Sequence, residues 1–265
     1  INAHGSDVHP VSSIGQFIQW LVRPIVQRAQ LIVVPSSYYR WELAKKFSVN
    51  RNKIYVSPSG GVDLSDFQEK TYKKEHSREF VIGYVSRIDE GKGWDILLKS
   101  VKLLSTKNTR SFQVLIIGSG KQVPQFESMI NELNVSQYIQ YIGAIPQHEL
   151  NGYYHSMDVF VFPTYRKAES LGLVGLEAMA CGVPVIGSKV GGLRSYIRPG
   201  YNGDFFTPKA VDELSIKLDQ FMELDQCKIE ELGKNARQTA LQYDSLSVAK
   251  NLYQRLISLE NTTNK

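Results

Sequence analysis

The most informative stretch of this 265-residue chain reads Glu169-Ser-Leu-Gly-Leu-Val-Gly-Leu-Glu177 and continues as Ala-Met-Ala-Cys-Gly-Val-Pro184. On one unbroken helix, eight steps of about 100° would leave the two glutamates roughly 80° apart, so they would not share a face. We instead predict that Glu169 ends a loop, that Gly172 allows close backbone approach, and that Glu177 lies a turn or more inside the following helix. Free N–H groups then lie between the two acids.

This predicted corner has the chemistry to hold a nucleotide sugar. Unpaired amides at a helix N-terminus bind anions, and a carboxylate accepts hydrogen bonds from hydroxyl groups. A nucleotide diphosphate sugar offers a diphosphate for the amides, sugar hydroxyls for one carboxylate and a ribose diol for the other. The amides belong to Leu171, Gly172, Leu173 and Val174.

Hydrophobic periodicity predicts an α/β chain. Short apolar runs alternate with longer amphipathic stretches, which is typical of parallel strands connected by helices. Several runs are too apolar to have a face in water, as expected where helices cover both sides of a sheet. The runs are Leu31–Val34, Phe80–Val85, Phe112–Ile117, Tyr138–Ile142, Val159–Phe162 and Val183–Ile186.

The predicted elements fall into two groups. Residues 78–240 carry a full set of strands for a doubly wound parallel sheet, whereas residues 1–68 carry few, and a polar segment places a hinge near 64–78. A last helix, about Ser245 to Leu259, occupies a third segment, 241–265. Besides the Leu31–Val34 strand, the front group contains predicted strands at Ile1–Ala3 and Ile54–Ser57 and predicted helices at Ser13–Gln27 and Tyr38–Phe47.

The composition is that of an ordinary folded protein, with 42% hydrophobic residues. No run approaches the roughly 18 apolar residues that a membrane-spanning helix needs, and no basic-then-apolar leader stands at the front. Cys181 and Cys227 are the only cysteines, so a disulfide framework is not expected. We therefore expect a cytoplasmic protein.

Positive charge is concentrated at the front of the chain. Residues 1–60 contain seven Lys/Arg against two acidic residues, while the remainder has 24 of each sign. This segment could contact anionic lipid at the inner face of the membrane or an acidic acceptor, and a solvated surface is equally consistent. Nucleic acid is not expected, because no aromatic-interleaved basic platform accompanies the charges.

The predicted helix Ser13–Gln27 is amphipathic, with apolar residues at helical spacing. We favour burial of this face against the sheet. A membrane-facing helix is the alternative, in which Trp20 and Arg23 lie at the interface.

Two cations, Arg87 and Lys92, follow the Phe80–Val85 strand directly. Ligands bind at the carboxyl ends of strands in open α/β sheets, and two cations there would neutralise a diphosphate leaving group. The alternative is ordinary surface charge paired with Asp89 and Glu90. Within the context of the two glutamates, we favour phosphate binding.

The turn Gly118-Ser-Gly120 follows the Phe112–Ile117 strand but does not complete a dinucleotide fingerprint, because Val123 stands where the third glycine belongs. Hydride transfer is therefore not favoured. A turn that brings backbone close to a ligand and a purely structural turn both remain open. The histidines show no metal-ligand spacing, so we predict no metal site.

In their order and spacing, these motifs resemble the retaining glycosyltransferases of family four, which have two facing Rossmann-like domains, the GT-B architecture. The resemblance covers nearly the whole chain and is specific for the family but not for the substrate. Family members carry further strands ahead of the position of His4, so the first domain is expected to be incomplete. In the family the final helix often crosses back to the first domain, so the resemblance implies the same for residues 241–265. Besides the glutamate motif, the matching segments are Gly83–Gly93 with Arg87 and Lys92, Gly60-Gly61-Val-Asp63-Leu-Ser-Asp-Phe67, and His4-Gly5-Ser6-Asp7.

The resemblance implies a role for each matching residue. Glu169 is expected to meet the transferred sugar and Glu177 to hold ribose hydroxyls, while Arg87 and Lys92 bind the phosphates. His4 is expected near the reaction centre, opposite Glu169. Backbone contacts to the donor are expected at Gly118, Gly120, Gly143 and Ile145, the last two at the nucleotide base.

The predicted activity is hexosyl transfer from a nucleotide diphosphate sugar to an acceptor hydroxyl in polysaccharide or glycolipid synthesis, and the resemblance implies that the transfer proceeds with retention. No cofactor and no metal are expected, because Arg87, Lys92 and the helix N-terminus can supply the electrostatic stabilisation. One alternative is a noncatalytic nucleotide-sugar-binding subunit that needs a partner chain to complete the cleft. An epimerase or phosphorylase is a less favoured third hypothesis. The sugar, base and acceptor are not specified by the sequence.

Overall fold

The structure, a computed structural model, describes residues 1–10, 12–70, 79–107 and 110–263, so most of the predicted hinge, residues 71–78, lies outside the described residues. We call residues 1–57 the first unit and residues 79–240 the second unit. The first unit contains α1 (Gly5–Val8), α2 (Ser13–Arg28), β1 (Ile32–Val34), α3 (Ser37–Phe47) and β2 (Ile54–Val56). The second unit and the segment after it contain β3 (Phe80–Val85), α4 (Trp94–Leu104), β4 (Phe112–Ile117), α5 (Val123–Glu132), β5 (Ile139–Gly143), α6 (Leu150–Ser156), β6 (Val159–Phe162), α7 (Leu173–Ala180), β7 (Val185–Ser188), β8 (Gly203–Phe206), α8 (Val211–Glu223), α9 (Gln226–Ala240) and α10 (Ser245–Thr263).

The second unit is built on a six-stranded parallel sheet with the order β5-β4-β3-β6-β7-β8. Buried apolar residues form one cluster on each side of this sheet, with Ile82 on one side and Phe160 on the other. The order of the strands reverses direction between β3 and β6, which is where ligands bind in sheets of this kind. The predicted α/β class and doubly wound parallel sheet are confirmed.

The first unit has a small parallel sheet. β1 and β2 pair in register from Ile32 with Ile54, and Asn2 forms an isolated parallel bridge with Val33 on the other side of β1. The predicted strand Ile1–Ala3 is therefore reduced to one bridge at the edge. Its backbone still pairs with β1, because Ala3 N–H donates to the Val33 carbonyl at 2.9 Å.

Three strands, β1, β5 and β7, begin one or two residues later than their apolar runs predict, and one strand was not predicted. β5 begins at Ile139 because residues Ser136–Tyr138 form a 3-10 turn. β7 begins at Val185 because Val183 N–H closes the end of α7 on the Ala178 carbonyl. β8 was missed because its sequence, Gly-Asp-Phe-Phe, is short and mixes polar with apolar residues.

The prediction that α2 buries its apolar face against the sheet is wrong for most of that face. Gly15, Gln19, Val22 and Val26 line a largely apolar cavity of about 490 Å³ between α2 and the sheet. The other large apolar side chains of α2 are exposed for half or more of their surface, although Ile18 and Ile25 also line the cavity. They are 51–72% exposed and comprise Ile14, Phe17, Ile18, Trp20, Leu21 and Ile25, which we call the α2 apolar surface.

The C-terminal segment returns to the connection between the two units. Val62 N–H donates to the Tyr243 carbonyl at 2.8 Å, and Ser245 N–H donates to the Val62 carbonyl at 3.0 Å. Further along α10, Leu259 lines a surface cavity together with Ile1 and Leu31 of the first unit. Within the described part of the chain, no helix combines the length and apolar character that crossing a bilayer requires.

Candidate active site

The corner predicted at residues 169–177 is present at the carboxyl ends of the central strands. The loop after β6 carries Glu169, and Gly172 precedes α7 in a left-handed conformation, φ +82°. A side chain at position 172 would meet the Phe162 ring at 2.5 Å, so only glycine allows α7 to begin this close to β6. Glu177 lies one turn inside the helix. The first N–H groups of α7 are directed toward the space beside Glu169, because the first turn of a helix leaves its amides without intrahelical partners.

Lys92 and Glu169 form an ion pair across this space. Lys92 Nζ lies 3.0 Å from Glu169 Oε2, and both side chains are only 13% exposed. Thr164 Oγ1 lies 3.3 Å from the same carboxylate oxygen and donates to the Gly91 carbonyl at 3.1 Å. The loops that follow β3 and β6 are thus connected through these side chains.

A cavity of about 350 Å³ opens at the corner. Arg87 reaches it with a side chain that is 66% exposed and paired with Asp89 at 2.9 Å. The exposed Arg87 can therefore reorient toward a ligand more readily than the enclosed Lys92. The lining residues are Ser59, Ser86, Arg87, Lys92, Phe162, Glu169, Ser170, Leu171, Gly172, Leu173 and Val174.

Glu177 lies in a different environment, outside the lining of this cavity. Its side chain is 4% exposed, and each carboxylate oxygen accepts one hydrogen bond, from Gln147 Nε2 at 2.9 Å and from the Tyr154 hydroxyl at 3.0 Å. Burial raises the pKa of the Glu177 carboxyl above its usual value, and the two hydrogen bonds oppose that rise. The two glutamates of the motif therefore have separate neighbours, as the predicted loop-to-helix corner requires.

The four predicted backbone positions have different surroundings. A side chain at Gly118 would lie 1.8 Å from the Ser86 carbonyl oxygen, and one at Gly120 would lie 2.4 Å from the Ile88 carbonyl oxygen. These glycines pack against the loop after β3. This packing favours the alternative that their turn has a purely structural role. Gly143, φ +82°, has open space at its Cα, while Ile145 packs partly buried against the core. Contacts of all four with a donor stay predictions.

His4 is next in sequence to Gly5, which contacts the loop that carries Glu169. Gly5 N–H donates to Ser170 Oγ at 3.0 Å, and the Gly5 Cα faces the Ala168 carbonyl. The His4 side chain is exposed, and its own N–H donates to Asp7 Oδ2 at 2.7 Å at the start of α1. A role for His4 at the reaction centre stays a prediction.

Three polar residues of the site, Thr164, Gln147 and Tyr154, were not singled out from the sequence. Thr164 and Gln147 come after β6 and β5, and a position after a strand is a weak signal that could have drawn attention to them, whereas Tyr154 on α6 has no such signal. Among the residues that the structure describes, no three His, Cys, Asp or Glu side chains gather as metal ligands would. The predicted independence of metal stays a prediction.

Two parallel sheets flanked by helices, with a helix N-terminus and a Lys–Glu pair beside the switch point of the larger sheet, define a two-domain protein of the GT-B class. Solved structures agree. A sucrose-phosphate synthase from Thermosynechococcus elongatus is similar at a TM-score of 0.80 and 25% identity, covering 98% of this chain and 67% of that chain. Anabaena HepE, solved in complex with UDP and glucose, is similar at a TM-score of 0.79 and 21% identity, covering 97% and 70%.

The chain belongs to the family described as glycosyl transferases group 1, whose model matches residues 66–239. A D-inositol 3-phosphate glycosyltransferase from Corynebacterium jeikeium is 32% identical over 68% of this chain and 46% of its own length. A GDP-mannose-dependent phosphatidylinositol monomannoside mannosyltransferase from Mycolicibacterium smegmatis is 25% identical over 87% of this chain and 64% of its own. The chain spans about half the length of the curated relatives it matches.

Proposed function

We propose that this chain binds a nucleoside diphosphate sugar at the corner before α7 and takes part in transferring a hexose to an acceptor hydroxyl with retention. The observation that carries the proposal is the enclosed pair of Lys92 and Glu169 beside the N-terminus of α7. Lys92 and the helix amides suit the diphosphate, and Glu169 suits the sugar hydroxyls. In this proposal His4, whose neighbour Gly5 contacts the glutamate loop, approaches the sugar from the side opposite Glu169.

In this proposal the protein itself stabilises the departing diphosphate, without a metal. Lys92, Arg87 and the first amides of α7 supply positive charge to the leaving group, and the departing phosphate takes the proton of the acceptor hydroxyl. The relatives named above support hexose donors, since one is GDP-mannose-dependent and one solved structure holds UDP and glucose. They also support a glycolipid or an inositol phosphate as the class of acceptor.

Nucleotide binding is the first test of this proposal. We expect one nucleoside diphosphate among UDP, GDP and ADP to raise the melting temperature of the chain, because a ligand that binds only the folded state stabilises it by RT ln(1 + [L]/Kd). The variant Glu177→Ala is expected to lose most of this shift. If no nucleoside diphosphate shifts the melting temperature, the proposed function is wrong.

The alternative function, a binding subunit that needs a partner polypeptide, is favoured by the α2 apolar surface. Six large apolar side chains lie exposed there on one helix, and the backbone of residues 1–3 stands at the edge of the small sheet. Large exposed apolar surfaces mark interaction sites, and a sheet edge accepts a further strand. We propose that another polypeptide segment covers this surface and completes the cleft. We expect this segment to correspond to the part of the relatives' sequences that the chain does not match.

Complementation tests this alternative. Adding the front half of the Corynebacterium jeikeium relative as a separate polypeptide is expected to produce donor turnover that the chain alone lacks. The double variant Ile18→Asp/Leu21→Asp should prevent complementation, whereas Ile216→Asp, at a similarly exposed position of α8, should not. Turnover by the unaided chain would exclude the subunit hypothesis. Binding to anionic vesicles that depends on Ile18 and Leu21 would instead assign the surface to the membrane.

A further inference from the structure

We propose that Gln147 and Tyr154 are positioning residues for ribose recognition, holding the Glu177 carboxylate in the orientation that accepts hydrogen bonds from both hydroxyls of a ribose diol. The inference rests on the proposed function, because it assumes that a nucleotide binds at this corner. It goes further by assigning a task to two residues and by predicting discrimination between ribonucleotides and deoxyribonucleotides.

The three side chains converge from three separate elements. Gln147 lies in the 3-10 turn Gln147–Glu149 after β5, Tyr154 lies on α6, and Glu177 lies on α7. The Tyr154 ring is fully buried and is held edge-on by Phe67 and Phe160, with ring centroids 5.8 Å and 5.9 Å away. A ring fixed in this way fixes the position of the hydroxyl that binds Glu177 Oε2.

The two hydrogen bonds reach different oxygens of the carboxylate. Tyr154 contacts it from the core, whereas Gln147 is an exposed residue and contacts it from the solvent side. A ligand that reaches Glu177 from solvent therefore meets Gln147 first. Because an ionised carboxylate has about four lone-pair sites and these two bonds use two, two acceptor sites are left for the hydroxyls of a diol.

The surroundings make these donors necessary for a charged Glu177. The ionisable groups that interact with Glu177 or with its hydroxyl partner are Tyr154, Cys181 and Tyr196. Burial raises the pKa of all three, that of Cys181 to about 12, so they are uncharged at neutral pH. The cations Arg237 and Lys70 act on Cys181, and neither is a cause of the Glu177 shift. The hydrogen bonds from Gln147 and Tyr154 thus supply the stabilisation of the carboxylate against burial.

The test compares Gln147→Leu and Tyr154→Phe with the wild-type chain. Dissociation constants are measured by calorimetry between pH 5.5 and 8.5, for the nucleoside diphosphate that the screen identifies and for its 2′-deoxy analogue. Each variant is expected to bind the ribonucleotide about tenfold more weakly at pH 7, the size of one lost hydrogen bond to a charged group. Binding of the deoxy analogue should change less, so the preference for the ribonucleotide falls.

Nucleotide affinity is expected to increase with pH. Binding requires ionised Glu177, so affinity increases as the pH rises through the pKa of that carboxyl. Removing a donor destabilises the ionised form and raises that pKa, so the pH midpoint of binding should move upward in both variants. His148→Leu, in the same turn and with a side chain that is 74% exposed, is the matched control and should leave both the midpoint and the affinities unchanged.

The outcomes separate the two proposals. If the wild-type chain binds no nucleoside diphosphate, the proposed function fails, and the ribose role fails with it. If the wild-type chain binds one but Gln147→Leu retains its affinity, its preference for the ribonucleotide and its pH midpoint, only the positioning role is wrong. Gln147→Leu decides the matter even if Tyr154→Phe unfolds, because Gln147 lies on the surface and its replacement leaves the core intact.

Discussion

Replacing Lys92 with methionine should remove the ability of the chain to distinguish a nucleoside diphosphate from the corresponding monophosphate. Lys92 is the enclosed cation of the site, with its Nζ 3.0 Å from Glu169 Oε2. If it binds the outer phosphate, its loss weakens diphosphate binding about 100-fold, the scale of a charge-assisted interaction in an enclosed site, and leaves monophosphate binding nearly unchanged. Calorimetry with both nucleotides measures this difference.

A matched variant and a double variant complete the experiment. Lys99→Met removes a partly exposed lysine whose pair with Asp95, at 4.0 Å, is loose, so it should bind both nucleotides as the wild-type chain does. Lys92→Met also leaves Glu169 without its cation, which lowers stability, and adding Glu169→Gln should recover much of that stability without recovering diphosphate affinity. An unchanged diphosphate preference in Lys92→Met would remove Lys92 from the proposed phosphate site.

Gly5→Ala is expected to displace the loop that carries Glu169. A side chain at Gly5 would lie 2.1 Å from the Ala168 carbonyl oxygen and 3.0 Å from Ser170 Oγ. Because the first obstacle is backbone, the contact can be relieved only by moving α1 or the loop, at a cost of about 1–3 kcal/mol. Urea unfolding should show the lower stability, and amide exchange in residues 165–172 should become faster because the Gly5–Ser170 hydrogen bond is lost.

Gly152→Ala is the control for this variant. Position 152 lies inside α6, where an added side chain has open space, so alanine should leave stability unchanged or raise it by up to about 1 kcal/mol. Equal stability and equal amide exchange in the wild-type chain and Gly5→Ala would show that the first unit does not hold the glutamate loop in place.

The general position of the site could be predicted from the sequence because sheet geometry brings distant residues together. Lys92 and Glu169 are 77 positions apart, but they follow β3 and β6, which are neighbours in the sheet. The rule that ligands bind at the carboxyl ends of parallel strands therefore places both in one site without any knowledge of side-chain contacts. Gly172, between the two glutamates of the motif, likewise predicts the corner before α7.

The partners of Glu177 could not be predicted in the same way. Gln147 lies in a short turn, and Tyr154 lies on a helix whose apolar pattern explains its burial without indicating a polar contact. The exposure of the α2 apolar surface was also beyond prediction. Helical periodicity identifies which residues share a face, but it does not show whether anything packs against that face.

The return of the C-terminal segment to Val62 places two crossings of the chain at one point between the units. The chain crosses between them at Val62 and again at residues 243–245, and the two crossings are held side by side by backbone hydrogen bonds. We expect any relative motion of the units to turn about this pair of crossings, because the chain is continuous there and the two crossings move together. Such a motion would separate Gly5 from Ser170 and so widen the space beside Glu169, while both sheets keep their internal hydrogen bonds.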